Sequence, residues 1–123
     1  MEKKLWKNKI KNAAKKAGTY QPFFDSVIDT LADILARRDD ALIVFEKTGG
    51  NCVITHTNKG GNQYIEQNPI LRLVNDLNRD ALAYWRDLGL TPAGLKKINE
   101  AAMQKKEEGS ALEKALLKLG GGA

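Results

Sequence analysis

Apolar residues in the second half of the chain recur at Ile70, Val74, Leu77, Ala81, Tyr84 and Leu88, in alternating steps of four and three. This spacing lays a narrow seam along one helix face, the pattern that packs against a partner helix. Leu71, Leu73, Leu82 and Trp85 widen the apolar surface, so the helix is expected to be buried, within its own fold or between subunits. Its ends are marked. Asn68-Pro69 supplies an N-cap followed by proline at the first helical position, and Gly89 supplies a left-handed stop. Thr91-Pro92 starts a further helix, so residues 68–99 read as a helix-turn-helix-like pair.

The same periodicity organises the first half. Leu5, Trp6, Ile10, Ala13, Ala14 and Ala17 lie near one side of a helix that Gly18 closes. Thr19 and Pro22 are expected to open a second helix, in which Phe24, Val27, Ile28, Leu31, Ile34 and Leu35 form a broad core face. Arg37-Arg38-Asp39-Asp40 interrupts that face. Asp39 or Asp40 can cap a short third helix through ALIVFEK, although ALIVF is equally compatible with a strand. CVITHT and NQYIEQ flank Asn58-Lys59-Gly60-Gly61, an extended-turn-extended signal for a hairpin at about residues 51–67. Two strands alone are marginal, so the hairpin is expected to rest on helices or to join a sheet shared by several subunits.

Beyond Thr91-Pro92, a thin stripe of Leu95, Ile98 and Ala102 predicts a more exposed helix that Gly109 breaks. Ser110 to Glu113 matches a capping box for a short amphipathic helix bearing Leu112, Ala115, Leu116 and Leu119 and ended by Gly120-Gly121-Gly122. The fold class is therefore mainly α, a helical domain with one small β-hairpin. Its expected parts are a basic helix or arm (1–18), a helical core (19–107), and a C-terminal amphipathic segment with a Gly-rich tail (108–123).

Composition narrows the chemistry. Apolar residues make up 42% and charged residues 28% of 123 residues, ordinary values for a globular domain. No apolar run reaches the roughly 20 residues of a membrane span. Cys52 is the single cysteine and His56 the single histidine, which excludes an internal disulfide, leaves a Cys/His zinc site short of ligands and suggests a reducing cytoplasm. Alternation puts Cys52 and His56 on one strand face, but no third group supports a catalytic pair. Neither Gly-Gly pair is followed by the Lys-Ser/Thr of a phosphate loop. Asp25, Asp29 and Asp33 repeat every fourth residue and read as a solvated face, a metal stripe, or an attraction for the lysine-rich helix.

The net charge of +5 is concentrated at the ends of the chain. Lys3, Lys4, Lys7, Lys9, Lys11, Lys15 and Lys16 stand against Glu2 alone in residues 1–18. Such a helix docks its apolar stripe on the core, binds DNA phosphates through counterion release, or lies on a membrane surface; its narrow, alanine-rich apolar face suits the last of these least.

Taken in order, Tyr20 and Pro22 at a helix entry, a Gly-containing hairpin, Asn68-Pro69, and Leu88-Gly89-Leu90-Thr91-Pro92 followed by Lys96, Lys97 and Ile98 resemble phage terminase small subunits over about residues 19–100. Gly94 departs from the pattern, since such proteins commonly carry Ser, Ala or another good helix former there. The resemblance implies a non-enzymatic, cofactor-free subunit in the host cytoplasm. It would assemble into a ring, recognise double-stranded viral DNA and hand it to a large subunit carrying the ATPase and nuclease. On this reading the seven N-terminal lysines contact phosphates, with Arg37, Arg38, Lys96 and Lys97 as the alternative basic sites. Ile70, Val74, Leu77, Ala81, Tyr84, Trp85 and Leu88 serve packing or oligomerisation, and Leu112, Leu116 and Leu119 engage the large subunit. The alternatives are a small transcriptional regulator, reading base edges with Lys96, Lys97, Asn99 and Gln104, and a helical module that binds only protein.

Overall fold

The computed structural model describes residues 1–120. Four helices and one hairpin follow in the order α1 (Lys3–Ala17), α2 (Asp25–Lys47), β1 (Val53–Thr57), β2 (Gln63–Gln67), α3 (Pro69–Asp87) and α4 (Pro92–Gly120). The fold is mainly α. Its core forms where α1 and α3 both pack on α2: Trp6 and Ile10 of α1 and Ala81 and Leu88 of the α3 region close over Ile28, Leu31, Ala32 and Leu35. Fully burying each of the larger aliphatic chains contributes about 1.5–3 kcal/mol relative to exposure.

The seam of α3 packs inside its own chain. Val74, Ala81 and Leu88 are buried on it, and Ile70, Leu77, Tyr84 and Trp85 are half-buried. Leu73 and Leu82, on the flank, are about half exposed, so the helix is less enclosed than its apolar content predicts. Its ends follow the sequence reading. The Asn68 side chain accepts from the Ile70 amide, and Gly89 turns left-handed at φ 72° while the Leu90 amide closes on the Trp85 carbonyl. The Thr91 hydroxyl then accepts from the Gly94 amide at 3.1 Å to start α4.

Several expectations are corrected. Thr19 does not open the second helix: Pro22 does, at the start of a 3-10 turn over Pro22–Phe24 that runs directly into α2, and the buried Thr19 hydroxyl instead donates to the Leu88 carbonyl at 2.8 Å. Arg37 to Asp40 does not interrupt α2, so ALIVFEK forms neither a third helix nor a strand but the last turns of a 23-residue helix. None of those four residues is a glycine or proline, and Asp39 has tertiary partners that use its polarity. Gly109 does not break α4. A lone glycine in a helix costs about 1 kcal/mol relative to alanine, which weakens a helix without ending it, and open space surrounds this one. The expected tail at residues 121–123 lies outside the described residues. Leu5, placed on the apolar stripe of α1, is 54% exposed, whereas Trp6, Ile10 and Ala14 are buried.

The hairpin pairs Val53 with Gln67 through Thr57 with Gln63 in antiparallel register, and the Asn58 side chain accepts from the Gly60 and Asn62 amides to shape its turn. Among the described residues the helices of its own chain give it little cover. Its base alone is tied: the Asn68 amide donates to the Cys52 carbonyl and the Asn68 side chain to the Asn51 carbonyl.

Gly94 is explained by proximity rather than flexibility. It is buried, and a Cβ there would fall well inside van der Waals contact of the Arg86 carbonyl oxygen, a backbone atom that cannot swing aside. Replacing Gly94 with Ala is therefore expected to destabilise the fold by about 1–3 kcal/mol through overpacking, despite alanine's higher helix propensity. Thermal unfolding followed by circular dichroism checks this; an unchanged or raised midpoint would contradict the close approach.

Candidate nucleic-acid interface

The packing of α1 divides its lysines into two sets. Burial of Trp6, Ile10 and Ala14 fixes the rotation of the helix, which turns Lys3, Lys7 and Lys11 toward the acidic edge of α2. The Lys3 and Lys7 ammonium groups lie 3.1 and 3.4 Å from the Asp29 carboxylate, and Lys11 lies 4.0 Å from Asp25. The acidic stripe on α2 thus attracts the lysine-rich helix of the same subunit. Hydrogen bonding from Lys3, reinforced by Lys7, holds the Asp29 carboxyl below its usual range. Asp33, the third carboxylate, pairs with Arg37 at 3.0 Å.

Lys4, Lys9, Lys15 and Lys16 point away from this contact. Among the described residues none of them has a carboxylate partner, although Lys9 sits 4.9 Å over the Trp6 ring and Lys15 5.3 Å over Tyr20. All four are exposed. They form a cationic outer face along one rigid helix, with Asn8 and Asn12 between them, suited to a polyanionic backbone.

Arg38 behaves differently from its neighbour Arg37. Its guanidinium bonds Asp39 at 3.0 Å and Asn78 of α3 at 3.2 Å, and lies 5.5 Å over the Trp6 ring. Asp39 also accepts from the Trp6 indole at 2.7 Å and from the Met1 amine at 3.2 Å. One carboxylate therefore ties α1 to α2, and its Arg38 partner reaches α3. Sequence reasoning treats Asp39 as a helix cap and misses this role. The only available signal is the charge of Arg38 and Asp39 within an otherwise apolar helix face.

Lys96 and Lys97 are exposed on the first turns of α4, with Lys96 4.0 Å from Glu100. Lys97 borders an open concavity of about 510 Å³ with Arg86, Asp87 and Ile98. The Thr19–Leu88 hydrogen bond brings the end of α1 beside the α3–α4 turn, so Lys15 and Lys16 share one end of the body with Arg86, Lys96 and Lys97. Arg86 does not stand out in the sequence, where it reads only as a favourable charge at a helix C-terminus.

His56 does not combine with Cys52. Its Nε2 lies 2.9 Å from a Glu66 carboxylate oxygen and its ring stacks on Tyr64 across the hairpin, while Cys52 is exposed outside β1. Among the described residues no His, Cys, Asp and Glu cluster could hold a metal ion, and no helix is long and apolar enough to cross a membrane.

Comparison with known proteins places the chain in a family context: the sequence model of the family described as phage terminase, small subunit, matches residues 3–105. No curated protein and no solved structure matches the chain. The matched span takes in α1, α2, the hairpin, α3 and the first half of α4.

Partial burial pushes the Asp39 carboxyl up, but the hydrogen bonds from Trp6, Arg38 and the N-terminal amine outweigh it and hold the group below its usual range. A lowered folded value contributes stability that is present above the unfolded value, about 3.9, and is lost as pH falls through the folded one. The unfolding midpoint is expected to stay level from pH 7 to about 5 and to drop below about pH 4. Replacing Asp39 with Asn should cost about 1.5–3 kcal/mol at pH 7 and flatten the acid limb. An acid limb equally steep in both proteins would remove Asp39 from this account.

Proposed function

This chain belongs to the phage terminase small-subunit family, and from that premise we propose that it is the non-catalytic DNA-recognition and adaptor component of viral genome packaging. The membership supports a packaging role in the coarse sense. The finer reading is a ring-forming subunit that binds double-stranded viral DNA and delivers it to the large ATPase and nuclease subunit, in the cytoplasm of the host. The observation that carries it is the outer face of α1, where Lys4, Lys9, Lys15 and Lys16 are exposed without carboxylate partners among the described residues, on a helix docked firmly to the core. Docking fixes these charges in space, so phosphate contacts would position the duplex rather than merely attract it.

In this reading Lys15 and Lys16 join Arg86, Lys96 and Lys97 in one cationic end, and Arg37 is a peripheral contact. Lys3, Lys7, Lys11 and Arg38 serve chiefly to hold the helices together, which narrows the phosphate-binding set drawn from the sequence. The seam from Ile70 to Leu88 serves packing within the subunit. The exposed strip of Leu112, Leu116 and Leu119 is the surface open to a partner protein, the large subunit among them.

A second reading, a transcriptional regulator that inserts α4 into the major groove, is favoured by the exposure of Lys96, Lys97, Asn99 and Gln104 on one helix. A footprint confined to a short palindrome would support it over the adaptor.

Changing Lys4, Lys9, Lys15 and Lys16 together to Gln should weaken duplex binding and reduce the slope of log K against log salt by about 3–4, near 0.9 for each phosphate that is no longer neutralised. Changing Lys3 and Lys7 to Gln should reduce that slope far less. Fluorescence anisotropy across a salt series measures both. Equal effects of the two variants would place the DNA contacts elsewhere.

A further inference from the structure

The outward face of α1 carries more than charge. Ile10 is fully buried beneath the helix, and at about 100° per residue Asn8 and Asn12 each fall about 160° from it, on the crest that faces solvent. Both are exposed, and no hydrogen bond among the described residues engages either side-chain amide. Lys4 and Lys15 flank that crest on one side, Lys9 and Lys16 on the other. Leu5 stands on the same crest, in i, i+3, i+7 spacing with the two asparagines, and is 54% exposed although Trp6, Ile10 and Ala14 turn inward. None of the three crest residues adds to the core. Asparagine is a weaker helix former than the lysines around it, and an exposed leucine gains nothing from solvent.

Two amides and an apolar group between two rows of ammonium groups suit a helix that reads bases. An asparagine amide pairs with the N6 and N7 edge of adenine as donor and acceptor at once, and an apolar chain packs on the thymine methyl. Lysines to either side reach the two phosphate backbones, which fixes register without reading sequence. A helix about 10–12 Å across fits a major groove about 12 Å wide. Among the described residues α2 is the main support of α1, so the crest is open along its length. The acidic edge of α2 would repel a duplex, but Lys3, Lys7 and Lys11 pair with Asp29 and Asp25 there. The polar residues of α4 have no such order: Asn99 and Gln104 lie about 140° apart around it and cannot face one groove together.

We propose that α1 lies in the major groove of double-stranded DNA, with Asn8 and Asn12 reading adenine edges and Leu5 packing on a thymine methyl. From Asn8 to Asn12 the helix advances about 6 Å, so the two adenines stand about two base-pair steps of roughly 3.4 Å apart. Sequence preference then resides in α1 and not in α4. This inference rests on the duplex-binding reading above and adds to it a base-specific component that the lysines alone cannot supply.

The test uses the full chain and a pool of duplexes with a random centre of about 12 base pairs, slightly more than one turn. Sequencing the bound fraction should return a site with adenine at two positions about two steps apart. Asn8→Ala and Asn12→Ala should each remove the preference at one of these positions. Each should lower affinity for the selected site roughly 5- to 150-fold and leave affinity for an unselected duplex of the same length unchanged. Exchanging those adenines for 7-deazaadenine removes the N7 acceptor and keeps the base pairs. It should weaken binding by the parent but not by the matching variant. Uracil in place of thymine, which lacks only the methyl group, makes the same test with Leu5→Ala. Alanine raises helix propensity at exposed sites, so lost preference is not loss of α1, and equal far-ultraviolet circular dichroism verifies this.

Parental binding without any sequence preference would overturn the base readout and leave the phosphate-binding adaptor reading standing. A preference that survives both asparagine changes, or adenine positions indifferent to loss of N7, would overturn it as well. No duplex binding by the parent even at about 50 mM salt would defeat the adaptor reading and the readout with it.

Discussion

Burial of one face of α2 beneath two shorter helices is the constraint on which the remaining structure depends. The Ile28, Leu31, Ala32 and Leu35 face is covered by Trp6 and Ile10 from one side and by Ala81 and Leu88 from the other. Truncating a single large member of such a cluster to alanine, Leu31 for example, removes about 2–5 kcal/mol, a large part of the stability of a domain this size. The same burial sets the rotation of α1 and α3. It decides which lysines of α1 face the acidic edge of α2 and which face outward. The electrostatic surface follows from the packing rather than being arranged independently of it.

The helix that everything packs on is also longer than its covers. With 23 residues against 15 for α1, α2 runs on past the start of α1, and α3 is the main helix packed beside its last turns among the described residues. The exposed Ile43 and Val44 and the groove beside Leu73 are the result. Asp39 marks the point where cover from α1 ends. There a polar clasp of Trp6, Arg38 and Asp39 closes the core, and Asn78 of α3 completes it through Arg38. Charged residues inside an apolar helical run thus mark the edge of the core, not the end of the helix.

Much of this was legible in the sequence where the physics is local. The seam of α3, its Asn68 cap, its Gly89 stop and the Thr91 start of α4 depend on spacing and on backbone rules that act over a few residues, and each is found where the pattern put it. Tertiary geometry was not legible. Gly109 carries the same local signal as a true breaker, and only its surroundings tell that the helix continues. Gly94 reads as a weakness in a first turn until the Arg86 backbone is found against it. For the basic helix, composition gave the cationic character, while the division between lysines that bind α2 and lysines that face outward required knowing which face was buried. The hairpin was read correctly as paired strands, yet its lack of support from the helices could not be seen in its own residues.

The unbroken course of α4 gives the Leu88–Pro92 turn a mechanical meaning. A continuous helix acts as a lever, and a tilt of about 10° at the turn moves a point roughly 27 Å along it by about 5 Å, close to one helical turn. Gly89 is wedged between Ile98 and Thr19, and Gly94 lies flush on the Arg86 backbone, so the fulcrum is stiff on both sides. The reach and direction of the whole distal half of α4 are thus written in the angle of a five-residue turn. Substitutions at Gly89 or Gly94 would then redirect the exposed helix without altering any residue on its surface.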